Sequence, residues 1–253
     1  MQDAESSHPV CGDIYAKNFM NEDGLQIFEA FKDDVSPNAS NVARHRIIDD
    51  LLRQKLSANP ELRIFIIGAG FDSRAFRLKG GSWIEFDEPQ VIAYKNERLP
   101  VANCENELHR IPIDFSNDSL EEKLLPFSKS GQVIFVIEGV LMYLDKNVIR
   151  QTLETLRNVF PQHQLICDLM NRKFFEKYSK NLHNKIAAIG TSFKFTAENP
   201  QQLFLENGYE LKENISIVEK ASEFELLNVP KVLLKTLFRT LANGYAIYVF
   251  NSK

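Results

Sequence analysis

Apolar and polar positions along the chain fall into two alternating rhythms. At residues 63–67 the run Arg63-Ile-Phe-Ile-Ile enters Gly68-Ala69-Gly70 directly. An unbroken run of β-branched and aromatic residues suits a strand covered on both faces, as in a parallel sheet. Comparable runs predict strands at 83–87, 109–113, 133–137 and 164–169, and two closing strands at 209–218 and 244–250. Apolar positions three or four apart predict helices between them. The clearest is 42–56, where Val42, Ile47, Ile48, Leu51, Leu52 and Leu56 share one face. Others are expected at 71–78, 89–98, 119–125, 146–160 behind a capping Asp145, 174–189, 199–207 and an insert at 230–241. Short helices at 13–19 and 25–31 precede a turn-forming Ser36-Pro-Asn-Ala-Ser-Asn. Strands alternate with helices from residue 63 to about 207, which implies βαβ units and a parallel sheet covered on both sides. No repeat, low-complexity tract or long linker interrupts the pattern. A single domain over 1–253 is expected, with the N-terminal helices (1–60) and the 171–200 region as its lid.

Composition narrows the partners. The hydrophobic fraction, 44%, is ample for one large core. A net charge of -4, with lysine and arginine scattered, offers no basic field for nucleic acid or an anionic membrane. Cys11, Cys104 and Cys167 lie far apart and are odd in number, so they read as reduced thiols rather than a disulfide framework. The five histidines form no pair at metal-ligand spacing, and no metal site is expected. The start, Met1-Gln-Asp-Ala-Glu-Ser-Ser, is polar and acidic, unlike a signal peptide. The longest apolar run, 133–144, is too short for a membrane span and holds Glu138. A cytoplasmic protein is expected.

In an open α/β sheet, ligands bind beyond the C-terminal ends of the strands. Strand one ends in Gly68-Ala69-Gly70, and the next three end in Asp87, Asp114 and Glu138. Glu138 sits in an otherwise apolar stretch and needs a basic side chain or a cationic ligand as partner. The turn is not a dinucleotide fingerprint, because Ser73 stands where the third glycine of G-x-G-x-x-G belongs. A ring of acids is also a poor cradle for phosphate. It suits S-adenosylmethionine, which has no phosphate but carries a ribose diol, an adenine amino group, an ammonium and a sulfonium. Asp87 is then placed for ribose, Asp114 near adenine, and the 68–70 backbone along the amino-acid portion. The cofactor's carboxylate needs a cation, and the first long helix offers Arg44 and Arg46.

Four motifs in order carry a family resemblance: Ala43-Arg44-His-Arg-Ile-Ile-Asp-Asp, Gly68-Ala-Gly-Phe-Asp-Ser-Arg, Glu85-Phe-Asp-Glu-Pro-Gln-Val-Ile with Lys95, and Glu138-Gly-Val-Leu-Met-Tyr-Leu. Together they resemble the leucine carboxyl methyltransferase family over roughly residues 40–145. Looser agreement comes from His8-Pro-Val-Cys-Gly-Asp-Ile-Tyr-Ala and from the stretch around Phe204 and Gly208. The resemblance implies a class I methyltransferase (Rossmann-like) fold, a seven-stranded, mostly parallel sheet in the order 3-2-1-4-5-7-6 with an antiparallel last strand. It implies S-adenosyl-L-methionine as cofactor. By motif match Arg44 pairs with its carboxylate, Gly68, Ala69 and Gly70 line its backbone, Asp87 binds ribose, Asp114 and Phe115 the adenine side, and Glu138 the amino end. Asp72 and Arg74 are read as a local ion pair bracing the loop. The expected activity is O-methyl transfer to a carboxylate or hydroxyl of a small, polyketide-like acceptor. The alternatives are a methyltransferase for a protein's C-terminal leucine and a non-catalytic cofactor-binding module. Tyr143 and His183 are the polar groups nearest an acceptor. Phe174, Phe175, Tyr178, Phe193 and Phe195 either line its pocket or pack the lid, and no catalytic base is assigned.

Overall fold

The computed structural model describes residues 2–188, 190–229, 233–234, 236 and 239–253. Seven strands form one sheet: β1 (Arg63–Ile67), β2 (Ser82–Asp87), β3 (Glu107–Pro112), β4 (Val133–Ile137), β5 (Gln164–Met170), β6 (Tyr209–Ser216) and β7 (Tyr245–Ser252). Their order is β3-β2-β1-β4-β5-β7-β6. Strands β1 to β5 pair in parallel, and β7 runs antiparallel to both β5 and β6.

The apolar run of β1 is explained by its two covered faces. Ile64 and Ile66 pack into one core with helix α1 (Val35–Ala58), through Ile47, Ile48, Leu51 and Leu52. Phe65 and Ile67 point the other way, into a second core with Ile149, Leu153 and Leu156 of a later helix, Lys146–Val159. Alternating residues of a strand face opposite sides, so both sets must be apolar when both sides are buried.

Some boundaries differ from the sequence expectation for local reasons. Helix α1 begins at Val35, taking in the expected turn at 36–41. Pro37 is its third residue, where the backbone N–H has no partner within the helix in any case. The segment 71–78 contracts to the single turn Arg74–Arg77, because the residues before it form the loop. The strand expected at 209–218 stops at Ser216, whose hydroxyl accepts the Glu219 N–H and caps a helix, Ile217–Glu223. Asp145 stands at the N-cap position of Lys146–Val159, yet its carboxylate reaches Lys194 at 3.3 Å instead of a helix N–H. Half of the insert expected at 230–241 lies outside the described residues; Arg239–Ala242 is one helical turn.

The chain leaves β1 toward β2 on one side, while β4 leads to β5 on the other. The turns after β1 and β4 therefore flank the switch point of the sheet, the place of the ligand-binding crevice in open α/β sheets.

Candidate functional site

The turn after β1 forms one wall of the crevice. Phe86 carries strand pairing into it, accepting the N–H groups of Gly68 (2.9 Å) and Ala69 (3.0 Å). Gly68 has φ +71°, and a Cβ there would stand 2.5 Å from Val140 Cγ2 on the opposite wall. Gly70 has φ +45°, and a Cβ there would meet nothing within 4 Å. Both conformations favour glycine, and the second leaves backbone accessible to a ligand. Asp87 closes the turn from the end of β2. Its Oδ2 accepts the Gly70 N–H at 2.6 Å and its Oδ1 the Glu88 N–H at 2.7 Å, leaving a further lone pair on each oxygen. Ser73, in place of a third glycine, donates to Asp13 (2.7 Å) and accepts from Arg77 (2.8 Å). It thus ties the N-terminal segment onto the loop. Phe19 of that segment stacks on Phe71 at 4.8 Å.

The other wall is polar and buried. Arg44 of α1 donates through Nε to Glu138 Oε1 (2.9 Å) and through Nη1 to the Tyr245 hydroxyl (2.7 Å) and Asp168 Oδ2 (3.4 Å). Among the described residues its Nη2 makes no hydrogen bond; it borders Gly139, where a Cβ would lie 3.1 Å away. Asp168, within β5, accepts the Gly139 N–H at 2.6 Å.

Arg74 is the hub between the walls. Its Nε donates to Asp49 (2.6 Å), its Nη1 donates to Asp72 and forms an ion pair with Glu138 Oε2 (2.8 Å), and its Nη2 donates to the carbonyl of His45 (3.0 Å). The local pair of Asp72 and Arg74 read from the motif is therefore present, within a larger cluster. His45, Asp72 and Glu138 place ligand atoms within 4.8 Å of one another, a metal-like spacing. The cation among them is the Arg74 guanidinium, which contacts all three. The His45 ring lies between Arg74 and Arg77, 2.7 Å from a nitrogen of each. Both ring nitrogens of His45 are thus covered by guanidinium groups, which leaves neither free for a reaction.

The electrostatics follow from this packing. Burial pushes the Glu138 carboxyl up, but Arg74, His45 and Arg44 together hold it well below the usual carboxylate range. Burial likewise opposes ionisation of Asp49, yet Arg74 and Arg77, with His45, bring it down to about 2. Both stay ionised at neutral pH. Burial and the neighbouring Asp3 push the Cys11 thiol up to about 12, so it is no nucleophile.

Asp114 and Phe115 stand apart from this cluster, at the outer edge of the rim. Asp114 is half-buried and shapes its own loop, accepting the Ser116 N–H (2.9 Å) and the Asn117 amide (2.7 Å). Phe115 as a whole residue is 43% exposed. One layer beneath Asp87 on β2, fully buried Glu85 meets Lys95 (2.7 Å) and Arg110 (2.9 Å). Those two motif residues, Glu85 and Lys95, thus hold β2 against Pro89–Arg98. On the acceptor side, Phe174 and Phe195 are core residues. Phe193 instead packs on Tyr143 (5.1 Å), His183 (5.3 Å) and Phe175 (5.9 Å), forming an aromatic cluster next to the β4 turn. The Tyr143 hydroxyl makes no hydrogen bond among the described residues.

Sequence reasoning missed His45, Asp49, Asp168 and Tyr245. Asp168 carried a usable signal: an acid inside Gln164-Leu-Ile-Cys-Asp-Leu-Met, the same anomaly that drew attention to Glu138. Tyr245 carried none, since a tyrosine in a strand is ordinary.

The strand order, the antiparallel β7 and the polar rim beyond β1, β2 and β4 define a class I methyltransferase fold. A DUF574 family protein from Streptomyces avermitilis superposes with a TM-score of 0.60 at 13% identity, covering 100% of both chains. The magnesium protoporphyrin IX methyltransferase of Synechocystis, solved with bound S-adenosylhomocysteine, does so with a TM-score of 0.52 at 13% identity over 84% of each chain. The leucine carboxyl methyltransferase family model matches residues 1–157, and the chain belongs to that family. A Mycobacterium tuberculosis protein provisionally named an S-adenosyl-L-methionine-dependent methyltransferase is 28% identical over 161 residues, covering 56% of this chain and 46% of the relative. The chain thus spans about half the length of the relatives it matches. No helix among the described residues is long and apolar enough to cross a membrane.

Proposed function

We propose that this chain binds S-adenosyl-L-methionine across the crevice and transfers its methyl group to an oxygen of a small molecule. The observation that carries the reading is the facing pair of walls: the turn of Gly70 closed by Asp87, and Arg44 with an unpaired Nη2. The residues fit the group. Asp87 receives ribose hydroxyls on its remaining lone pairs, and the exposed face of Phe115, with Asp114, borders the adenine. The backbone of Gly68, Ala69 and Gly70 runs along the amino-acid portion. Arg44 Nη2 meets the carboxylate, and the remaining lone pairs of Glu138, held ionised, face the ammonium. When bound, the sulfonium supplies an electrophilic methyl: an acceptor lone pair forms the C–O bond while the C–S pair returns to sulfur.

A carboxylate acceptor suits the site better than a hydroxyl, because it is already a nucleophile and needs no base. Burial pushes the Tyr143 hydroxyl up, so it stays protonated at neutral pH. His183 Nδ1 accepts the Phe193 N–H at 3.3 Å, and His45 is held between arginines. Orientation by the aromatic cluster of Tyr143, Phe175, His183 and Phe193 then does most of the work; positioning alone is worth on the order of 7–11 kcal/mol. The N-terminal segment and the 171–200 region form the lid over this space.

Calorimetry with S-adenosylhomocysteine tests the cofactor. Binding heat and a thermal shift are expected, and the absence of both removes the reading. Incubation with methyl-labelled cofactor and a panel of apolar carboxylic acids and phenols tests the acceptor. Label in the acids is expected; label confined to phenols overturns the carboxylate preference, and binding without any transfer leaves a non-catalytic module.

A further inference from the structure

Arg44 is aimed by residues outside the matched segment 1–157. The Tyr245 hydroxyl has a single proton, and it donates it to Asp168 Oδ2 at 2.7 Å. Its lone pairs are thereby turned to Arg44, whose Nη1 donates to it at 2.7 Å. The other Asp168 oxygen accepts the Gly139 N–H at 2.6 Å, and Gly139 is the residue that borders Arg44 Nη2. One carboxylate therefore fixes both the guanidinium and the backbone beside its open edge. Asp168 is 1% and Tyr245 4% exposed, so water does not compete for these bonds.

We propose that Tyr245, with Asp168 behind it, is a positioning residue that aims the unpaired edge of Arg44 at the amino-acid end of the cofactor. The inference rests on the cofactor reading above. A merely architectural role for the hydroxyl is disfavoured by the pairing of β5 with β7. Backbone register runs from Gln164 opposite Asn251 to Met170 opposite Tyr245 and holds the strands without it. The Tyr245 ring also packs on Phe174 at 5.8 Å, a contact that phenylalanine keeps.

The test uses two ligands that differ only at the end in question. S-adenosylhomocysteine carries the amino-acid portion; 5′-methylthioadenosine has the adenosine and thioether without it. In the full chain, Tyr245→Phe should weaken S-adenosylhomocysteine about tenfold, the effect of losing the aim of one charge-assisted hydrogen bond. Affinity for 5′-methylthioadenosine should stay within about twofold. Asp168→Asn, which keeps an oxygen for Gly139 but cannot accept the tyrosine proton on its amide nitrogen, should show the same selective loss. If Tyr245→Phe does not fold, this second variant decides. Equal weakening of both ligands, or no weakening of S-adenosylhomocysteine, overturns the positioning role. A wild-type chain that binds 5′-methylthioadenosine but not S-adenosylhomocysteine overturns it too, and a wild-type chain that binds neither removes the cofactor reading together with the inference.

Discussion

Arg44 and Arg74 both grip Glu138, one on each oxygen, yet they belong to different kinds of structure. Arg74 is wholly buried and each of its nitrogens donates to a protein acceptor: Nε to Asp49, Nη1 to Asp72 and Nη2 to the His45 carbonyl. Arg44 keeps 17% of its side chain exposed and has an unpaired nitrogen. A saturated buried arginine has nothing to offer a ligand and serves to hold carboxylates ionised. An arginine fixed on two sides and open on the third keeps donors to spare. Proximity to the same acid therefore does not imply the same role, and the count of unused donors separates them.

Replacing the hub should cost most. Arg74→Met takes a buried cation from Asp49, Asp72 and Glu138 at once, and loss of one partner from such a cluster destabilises by about 3–5 kcal/mol. Urea unfolding measures it, and Arg74→Lys should recover only a minor part, because an ammonium cannot reproduce the fork. Arg44→Met should lower affinity for S-adenosylhomocysteine by on the order of 2–3 kcal/mol while shifting the unfolding midpoint less than Arg74→Met does. An equal loss of stability in the two variants would break the contrast between them.

Acid titration sharpens it further. Asp49 is brought from 3.8 to about 2 in the folded protein. A depressed carboxylate contributes stability that is complete above its unfolded pKa, near ~3.9, and lost as pH falls through the folded value. That contribution is on the order of 2 kcal/mol, so stability should decline between about pH 4.5 and 2, and Asp49→Asn should flatten the decline. The smallest effect is expected at the far edge of the rim. Phe115→Ala should leave unfolding unchanged and weaken S-adenosylhomocysteine by about 1 kcal/mol, the value of one aromatic contact. Unchanged affinity would take Phe115 out of the adenine side.

The strands were legible because burial on both faces writes a continuous apolar run, as in β1 and β4. Pro89–Arg98 was legible at both ends, with proline at its first position and basic residues in its last turn. The start of α1 was not, because Ser36-Pro-Asn reads equally as a turn and as a first helical turn. In the site, Glu138 stood out as a charge in an apolar stretch, and Asp87 as the end of β2. His45 and Asp49 were hidden for another reason. They lie on the polar-looking side of an amphipathic helix, and only the fold turns that side toward Arg74 rather than water. The pairing of Asp168 with Tyr245 spans 77 residues and has no local pattern to betray it.

That long separation has a consequence of its own. Strand β7 follows β6 in the chain, yet it takes the interior slot between β5 and β6. Contacts between distant segments pay loop-closure entropy before they are rewarded. Arg44 depends for its tyrosine partner on a strand held by such long-range pairing. Any change that displaces β7 therefore reaches a side chain some two hundred residues earlier in the sequence.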